Sequence, residues 1–320
     1  MKGESIEKLS DYGVLGFIKI NLRGAAQVMF QPSAWTGLLF LVGIFWGAYA
    51  TDDAPIAWGA LLGLVISTIT AFILNLSTDD ASQGLWGFNG VLVGCAFPAF
   101  FDSSIAMWLS LVLCAAFTTW LRVGLNRIMQ SWRVNSFTFP FVLATWIGLL
   151  SAHAMQSLRP IHHSQIITHH SHHIQAGMDN FWELVQAWLN GISQVFLIES
   201  WVTGAFFLVG LAVCSRWAAL WAAIGSALSM CIAALMNVPT SHIAEGLYSF
   251  SAVLTAIALA TVFYRPSWRS AAWSILGIVV TVFVQAAMNA WMLPYSIATL
   301  TAPFCVTTWL FLLPNIKLNR

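Results

Sequence analysis

The chain has 320 residues, of which 59% are hydrophobic and 8% charged, and its formal net charge is +1. A soluble globular protein carries about a quarter charged residues, so this surface has too few charges to face water and lipid is its expected solvent. The near-zero net charge argues against nucleic-acid binding, where a basic face is expected. Cys95, Cys114, Cys214, Cys231 and Cys305 all sit in apolar stretches without metal-ligand or redox spacing, and are expected as buried small hydrophobes. The opening MKGESIEKLSDYG mixes Glu4, Glu7 and Asp11 with Lys2 and Lys8. It lacks a basic start running directly into an apolar core, so no cleaved signal peptide is expected.

A spanning helix needs about 20 mostly apolar residues. Ten segments qualify in chain order: 34–50, 56–76, 84–101, 105–121, 137–156, 201–215, 218–237, 246–264, 271–291 and 299–315. Long apolar runs without strict alternation exclude a barrel. The stretches 14–33 and 181–200, which precede the first span of each half, are apolar but interrupted; each is expected as a half-membrane or interfacial helix. With a cytoplasmic N-terminus, the inside loops carry Lys2, Lys8, Lys19, Arg23, Arg122, Arg127, Arg133, Arg216, Arg265, Arg269, Lys317 and Arg320, whereas the outside loops carry only Arg159. This asymmetry fits the positive-inside rule, places both termini in the cytoplasm and supports the ten-span count.

The sequence repeats itself. GAAQVMFQPSAWTGLLFLVG at 24–43 is echoed by GISQVFLIESWVTGAFFLVG at 191–210, GLWGFNGVLVGCAF at 84–97 by GLYSFSAVLTAIAL at 246–259, and FTFPFVLATW at 137–146 by LTAPFCVTTW at 300–309. Three matches in one order indicate a duplication. Five spans per half force the second copy to enter the membrane from the opposite face, giving an inverted repeat whose transport site lies near the pseudo-two-fold axis. The expected fold is therefore all-α and membrane-integral. It has ten transmembrane helices in two inverted five-helix repeats, residues 1–160 and 181–320, joined by a His-rich extracytoplasmic linker at 161–180.

The repeated blocks hold amides, hydroxyls and flat apolar side chains, not charges. Gln27 and Gln194 adjoin Val28 and Val195, and Thr138 and Thr301 each stand two residues before Pro140 and Pro303. A proline removes a donor and frees a carbonyl one turn earlier, so each Thr-x-Pro is expected to offer a hydroxyl and backbone oxygens. Phe30, Phe88, Leu92, Leu197, Phe250 and Leu254 supply apolar walls. Such a lining suits a neutral, flat solute with several N–H donors and one carbonyl: oxygens replace its water and an apolar slot excludes ions. The plainer readings are interhelical hydrogen bonding for the glutamines, back-bonding for the threonines, and packing or lipid contact for the aromatic residues.

The Gln-Val-x-Phe, Gly-Leu-aromatic-x-Phe-Asn and Thr-x-Pro-Phe blocks resemble the urea transporter family of bacteria and vertebrates, across nearly the whole chain. The resemblance implies a homotrimer with one pore per subunit and passive, selective urea permeation through a narrow pore between the repeats. It also implies two re-entrant or tilted pore helices; residence in the inner (cytoplasmic) membrane is expected because no cleaved leader or eukaryotic targeting motif is evident. It puts Gln27 and Gln194 against urea near the pore mouths, Thr138 and Thr301 beside the central constriction, and the six Phe and Leu residues in the slot with Val28 and Val195. Leu197 in place of Phe30 and Ser251 in place of Asn89 imply mouths of unequal width. The competing readings are a channel for other small neutral solutes (short amides, ammonia or water) and an ion-coupled secondary transporter.

No cofactor and no enzymatic activity are expected, since no paired nucleophile and base or clustered metal ligands fall within spans. Urea and membrane lipid are the expected partners. The histidines His162, His163, His169, His170, His172 and His173, with His153, crowd the linker. Such a tract offers metal ligands or a pH sensor, and equally reads as a solvated connection. Glu199 and Glu245 fall at expected span starts, where the helix dipole favours a carboxylate; Glu199 is a candidate for the outer mouth.

Overall fold

The computed structural model describes residues 3–161 and 180–318, and every regular element among them is a helix. The chain divides into two compact units. The first runs to Ser131 and takes in Asn135–Arg159; the second comprises Trp132–Val134 and the described residues from Pro160 onward. The six histidines from 162 to 173 lie outside the described residues.

The first unit holds α1 (Gly3–Gln27), α2 (Ala34–Ala50), α3 (Ala54–Ile73), α4 (Thr78–Ser82), α5 (Phe88–Phe100), α6 (Ile105–Met129) and α7 (Phe139–Ala152). The second holds α8 (Phe181–Ser193), α9 (Trp201–Cys214), α10 (Arg216–Leu235), α11 (Thr240–Ala244), α12 (Phe250–Ile257), α13 (Trp268–Met292) and α14 (Ala302–Leu312). Serines start the corresponding helices. Ser33 accepts from the Thr36 N–H at 3.2 Å and Ser200 from Thr203 at 3.3 Å. Ser104 accepts from Met107 and Ser267 from Ser270, both at 3.1 Å. Each such cap satisfies one orphan first-turn donor.

The duplication extends to unusual backbone. Left-handed residues recur in matching places: Phe30 with Leu197, Asn75 with Asn237, Gly84 with Gly246, Arg133 with Ser296, and Phe137 with Leu300. Close approaches recur as well. A Cβ on Gly37 would strike the Leu22 carbonyl and one on Gly204 the Leu189 carbonyl, so α1 against α2 and α8 against α9 pack backbone to backbone. Arg23 donates to the Ser82 carbonyl at 2.6 Å, and its counterpart Asn190 donates to the Ala244 carbonyl at 3.0 Å.

Each of the ten expected spans carries a helix, but they differ in length. Among the described residues, four helical stretches are long and apolar enough to cross a membrane: Ala54–Ile73, Ile105–Trp132, Arg216–Leu235 and Trp268–Tyr295. A fifth arises if Phe181–Phe196 and Trp201–Cys214, bent by 74°, form one broken span. The others are shorter. With 13 residues, α5 reaches roughly 20 Å at 1.5 Å per residue, against a hydrocarbon core of about 30 Å. A short helix at membrane depth is tolerated where protein surrounds it. Residues Phe88–Pro98 of α5 are all buried, as are Phe250–Ile257 of α12, each within its own unit. Long helices instead present apolar stripes outward, such as Ile105, Leu109 and Leu113 on α6, as a lipid-facing surface requires.

Four local expectations are corrected. The α6 helix runs on to Met129, past the expected end at 121, so Arg122 and Arg127 are helical rather than in a loop. Arg122 is buried there because Asp80 holds it at 3.0 Å and its guanidinium lies 4.3 Å from the Trp86 ring. Lys19 and Arg23 likewise belong to α1. Cys214 and Cys231 are exposed, not buried; a thiol facing hydrocarbon meets no penalty that burial would remove. Glu245 follows the C-terminus of α11, so the helix dipole does not account for it, whereas Glu199 directly precedes the Ser200 cap of α9.

Candidate permeation site

In the first unit, α1 ends at Gln27 and the chain turns through Val28 and Met29 into Phe30, at φ 61°. In the second, a short 3-10 turn, Gln194–Phe196, leads to Leu197 at φ 60°. Bulky side chains rarely adopt this region, and holding one there costs about 1–3 kcal/mol. The burial pattern is the same in both turns. Gln27 and Phe30, like Gln194 and Leu197, are half-buried, while Val28 and Val195 are 1% exposed. The strained turns thus push one amide and one apolar side chain out of the packed interior. Gln27 donates from Nε2 to the Gln83 carbonyl at 3.0 Å, so the first turn is tied to the segment that leads into α5.

The slot residues fall into two places. Phe88 and Leu92 lie one turn apart at the start of α5, and Phe250 and Leu254 one turn apart at the start of α12. Leu92 and Leu254 are fully buried, and Phe88 and Phe250 nearly so. Within the first unit, the Phe30 ring meets the Phe137 ring edge-on at 6.3 Å. This brings the turn after α1 beside the residue before Thr138.

Thr138 and Thr301 are the N-cap residues of α7 and α14, with Pro140 and Pro303 in the first turns. The prolines therefore start helices rather than break them, a position where the missing N–H is no loss. The expected freed carbonyls one turn earlier are not free: the Ser136 carbonyl accepts from Phe139 at 3.0 Å and the Thr299 carbonyl from Ala302 at 3.2 Å. The hydroxyls themselves are buried, Thr138 at 3% exposure and Thr301 at 2%.

Several residues outside the sequence-derived set shape this place. Asn89 on α5 accepts from the Phe141 N–H at 3.1 Å, capping the first turn of α7. Asn126 accepts from the Ser136 N–H at 2.8 Å, and its counterpart Asn289 accepts from the Thr299 hydroxyl at 3.2 Å. Gln285 adds a 2.7 Å bond to that hydroxyl. Thr145 and Thr308 lie seven residues beyond Thr138 and Thr301, on the same helical face. Both are fully buried and, among the described residues, neither hydroxyl has a hydrogen-bond partner; the same is true of Thr307 and Ser251. A buried unpaired hydroxyl costs about 1–3 kcal/mol, so these positions cost the packed protein stability. The signal for Thr145 and Thr308 was available in the third repeated block, as a second shared threonine.

Asn89 gives a direct test. Asn89→Ala removes the cap and is expected to cost about 1 kcal/mol of stability while displacing Thr138. Asn89→Ser, which copies Ser251 of the second unit, is expected to retain more stability than alanine. Detergent melting midpoints of the three proteins check this, and equal midpoints for alanine and asparagine would remove the capping role.

These features define a class: a helical membrane protein whose two units carry amide, hydroxyl and Phe or Leu residues at matching positions. The pattern of the urea transporter family matches residues 18–316, and the chain belongs to that family. Urea transporter 1 of Ovis aries is 27% identical over 312 residues, covering 95% of this chain and 78% of the ovine protein. Urea transporter 1 of Rattus norvegicus is 27% identical over 314 residues, with 95% and 79% covered. The Mus musculus protein of that name is 28% identical over 312 residues, with 95% and 78% covered.

Proposed function

We propose that this protein is a passive, selective channel for urea, and that each unit lines the pathway with one copy of the same set. In this reading Gln27 and Gln194 meet urea at the mouths. Phe30, Phe88, Leu92, Leu197, Phe250 and Leu254, with Val28 and Val195, form the slot, and Thr138 and Thr301 flank the constriction. Thr145 and Thr308 extend each row of hydroxyls by two turns. The observation that carries the proposal is the match to the urea transporter family over nearly the whole chain. The duplicated turns at Phe30 and Leu197 support it by presenting equivalent groups twice.

Urea has N–H donors, one carbonyl acceptor and no charge, so hydroxyl and amide oxygens replace its water while apolar walls leave an ion unsolvated. No side chain in the proposed lining carries a charge, which favours permeation over ion-coupled transport, where intramembrane acids or bases serve as coupling groups. Ten crossings in two oppositely inserted halves, cytoplasmic termini, residence in the inner membrane and a homotrimer with one pathway per subunit complete the proposal. The asymmetric distribution of Lys and Arg supports the orientation. The test is urea flux into proteoliposomes. Uptake is expected to follow the urea gradient, to stop when concentrations equalise and to ignore imposed proton or sodium gradients. Accumulation driven by either ion overturns the channel reading.

A further inference from the structure

The two units differ where α10 and α13 begin. In the first unit Gly59 rests on the Gly94 carbonyl, sealing α3 against α5. The second unit has Trp221 at the place of Gly59, a side chain that cannot enter so close a seam. A pocket of about 260 Å³ lies there, lined by Trp217, Trp221, Ala260, Pro266, Trp268 and Ala271. The α12 helix passes there into a wider π turn, Ala258–Val262, which carries Ala260.

Three exposed arginines surround this end. Arg216 opens α10, Arg265 lies two residues before the Ser267 cap of α13, and Arg269 stands in the first turn of α13. The Arg216 guanidinium lies 5.8 Å from the Trp217 ring and that of Arg269 lies 5.6 Å from the Trp268 ring. Sequence supplies no local counter-charge: after Glu199, Glu245 is the only acid in the remaining chain. The starts of two helices add their positive dipole ends to the same place. Trp217 and Trp268 are 52% and 77% exposed, as amphipathic rings at a membrane interface are.

We propose that this pocket binds an anionic phospholipid of the surrounding bilayer, with the phosphate on Arg216, Arg265 and Arg269 and the upper part of one acyl chain against Trp217, Trp221 and Trp268. The volume admits part of a lipid rather than a whole one. A basic rim over an apolar cleft between membrane helices selects an anionic headgroup. The first unit does not repeat this aromatic lining: Pro55, Gly59 and Ile105 stand at the places of Trp217, Trp221 and Trp268.

Native mass spectrometry of the purified full-length protein, titrated with dioleoyl phosphatidylglycerol or dioleoyl phosphatidylcholine, tests this. One tight phosphatidylglycerol per chain is expected, and no comparable phosphatidylcholine. At roughly fivefold per arginine, R216Q/R265Q/R269Q is expected to weaken phosphatidylglycerol by about 100-fold, whereas R216K/R265K/R269K stays within a few-fold of the parent. Ala271→Trp, which fills the pocket and keeps the arginines, is expected to lose the tight site. Urea flux in all three variants should match the parent, since none touches the proposed lining, and this also verifies folding. Equal affinity for the two lipids overturns the proposal. So does tight phosphatidylglycerol that survives Ala271→Trp, or a change of oligomeric state in that variant with lipid binding retained, which would assign the pocket to contact between copies.

Discussion

Replacing Gly90 with alanine is expected to unseat α5 from α3 and to leave little monodisperse protein. The two helices pack through reciprocal glycines. A Cβ on Gly59 would meet the Gly94 carbonyl, one on Gly94 the Gly59 carbonyl, one on Gly63 the Gly90 carbonyl, and one on Gly90 the Gly63 carbonyl. Small residues four apart on both helices allow this backbone contact, which in lipid replaces the hydrophobic driving force that water supplies. The added methyl would also strike the Ser67 hydroxyl, which is fully buried and already donates to the Gly63 and Leu64 carbonyls at 3.0 and 3.1 Å. Neither backbone nor serine can withdraw cheaply. The overpacking is expected to cost about 3 kcal/mol, more than the roughly 1 kcal/mol that alanine gains over glycine in a helix. Gly225→Ala makes the internal comparison. Its Cβ would meet the Ala252 carbonyl oxygen, the Val253 Cα and the Ala256 Cβ at 3.0 Å, tight contacts but without the deep overlap found at Gly90. Fluorescence-detected size-exclusion after graded heating should show a large loss for Gly90→Ala and a small one for Gly225→Ala. Equal midpoints would sink the account of the seam.

Converting Thr138 and Thr301 together to valine is expected to slow urea entry by about 30-fold while leaving the fold intact. Valine keeps the β-branched shape and deletes one hydroxyl. If each hydroxyl supplies a hydrogen bond worth about 1 kcal/mol to the permeating solute, each loss raises the barrier by that amount and slows flux roughly fivefold. Thr145→Val and Thr308→Val report on the second row. Those hydroxyls are unpartnered in the packed protein, so their removal is expected to raise the melting midpoint even if flux falls. Opposite signs in stability and flux would set them apart from threonines that merely satisfy their own helix. Stopped-flow urea flux in proteoliposomes, normalised to reconstituted protein, gives the rates. Parent-like flux in the Thr138→Val/Thr301→Val protein would remove those residues from the pathway.

Much of this organisation was legible before any coordinates. The expected starts at 34 and 105 coincide with those of α2 and α6, because the apolar runs begin there; the Ser33 and Ser104 caps fix those starts by a local interaction among residues three apart. The repeated blocks marked Gln27 and Gln194, and Thr138 and Thr301, because a duplicated sequence keeps its special positions aligned. The expectation of freed carbonyls before Pro140 and Pro303 failed for a local reason: whether a proline breaks a helix or begins one depends on where the helix begins. Arg122 was misplaced for a long-range one. The helix continues because Asp80 and Trp86 receive the guanidinium, and those partners are some 40 residues away in the chain.

Amino-acid sequence alone thus determined the solvent, the helical class, the duplication and the residue types of the candidate site, since composition, period and repetition are properties of the chain itself. Tertiary structure decided which glycines face each other across α3 and α5, which hydroxyls are left without partners, and that Asn89 caps α7. It also decided that Trp221 lines a pocket, whereas Gly59 at the matching place packs on the Gly94 carbonyl. Each of those outcomes depends on two segments meeting at a few ångströms, and no spacing within one segment specifies what the other will present.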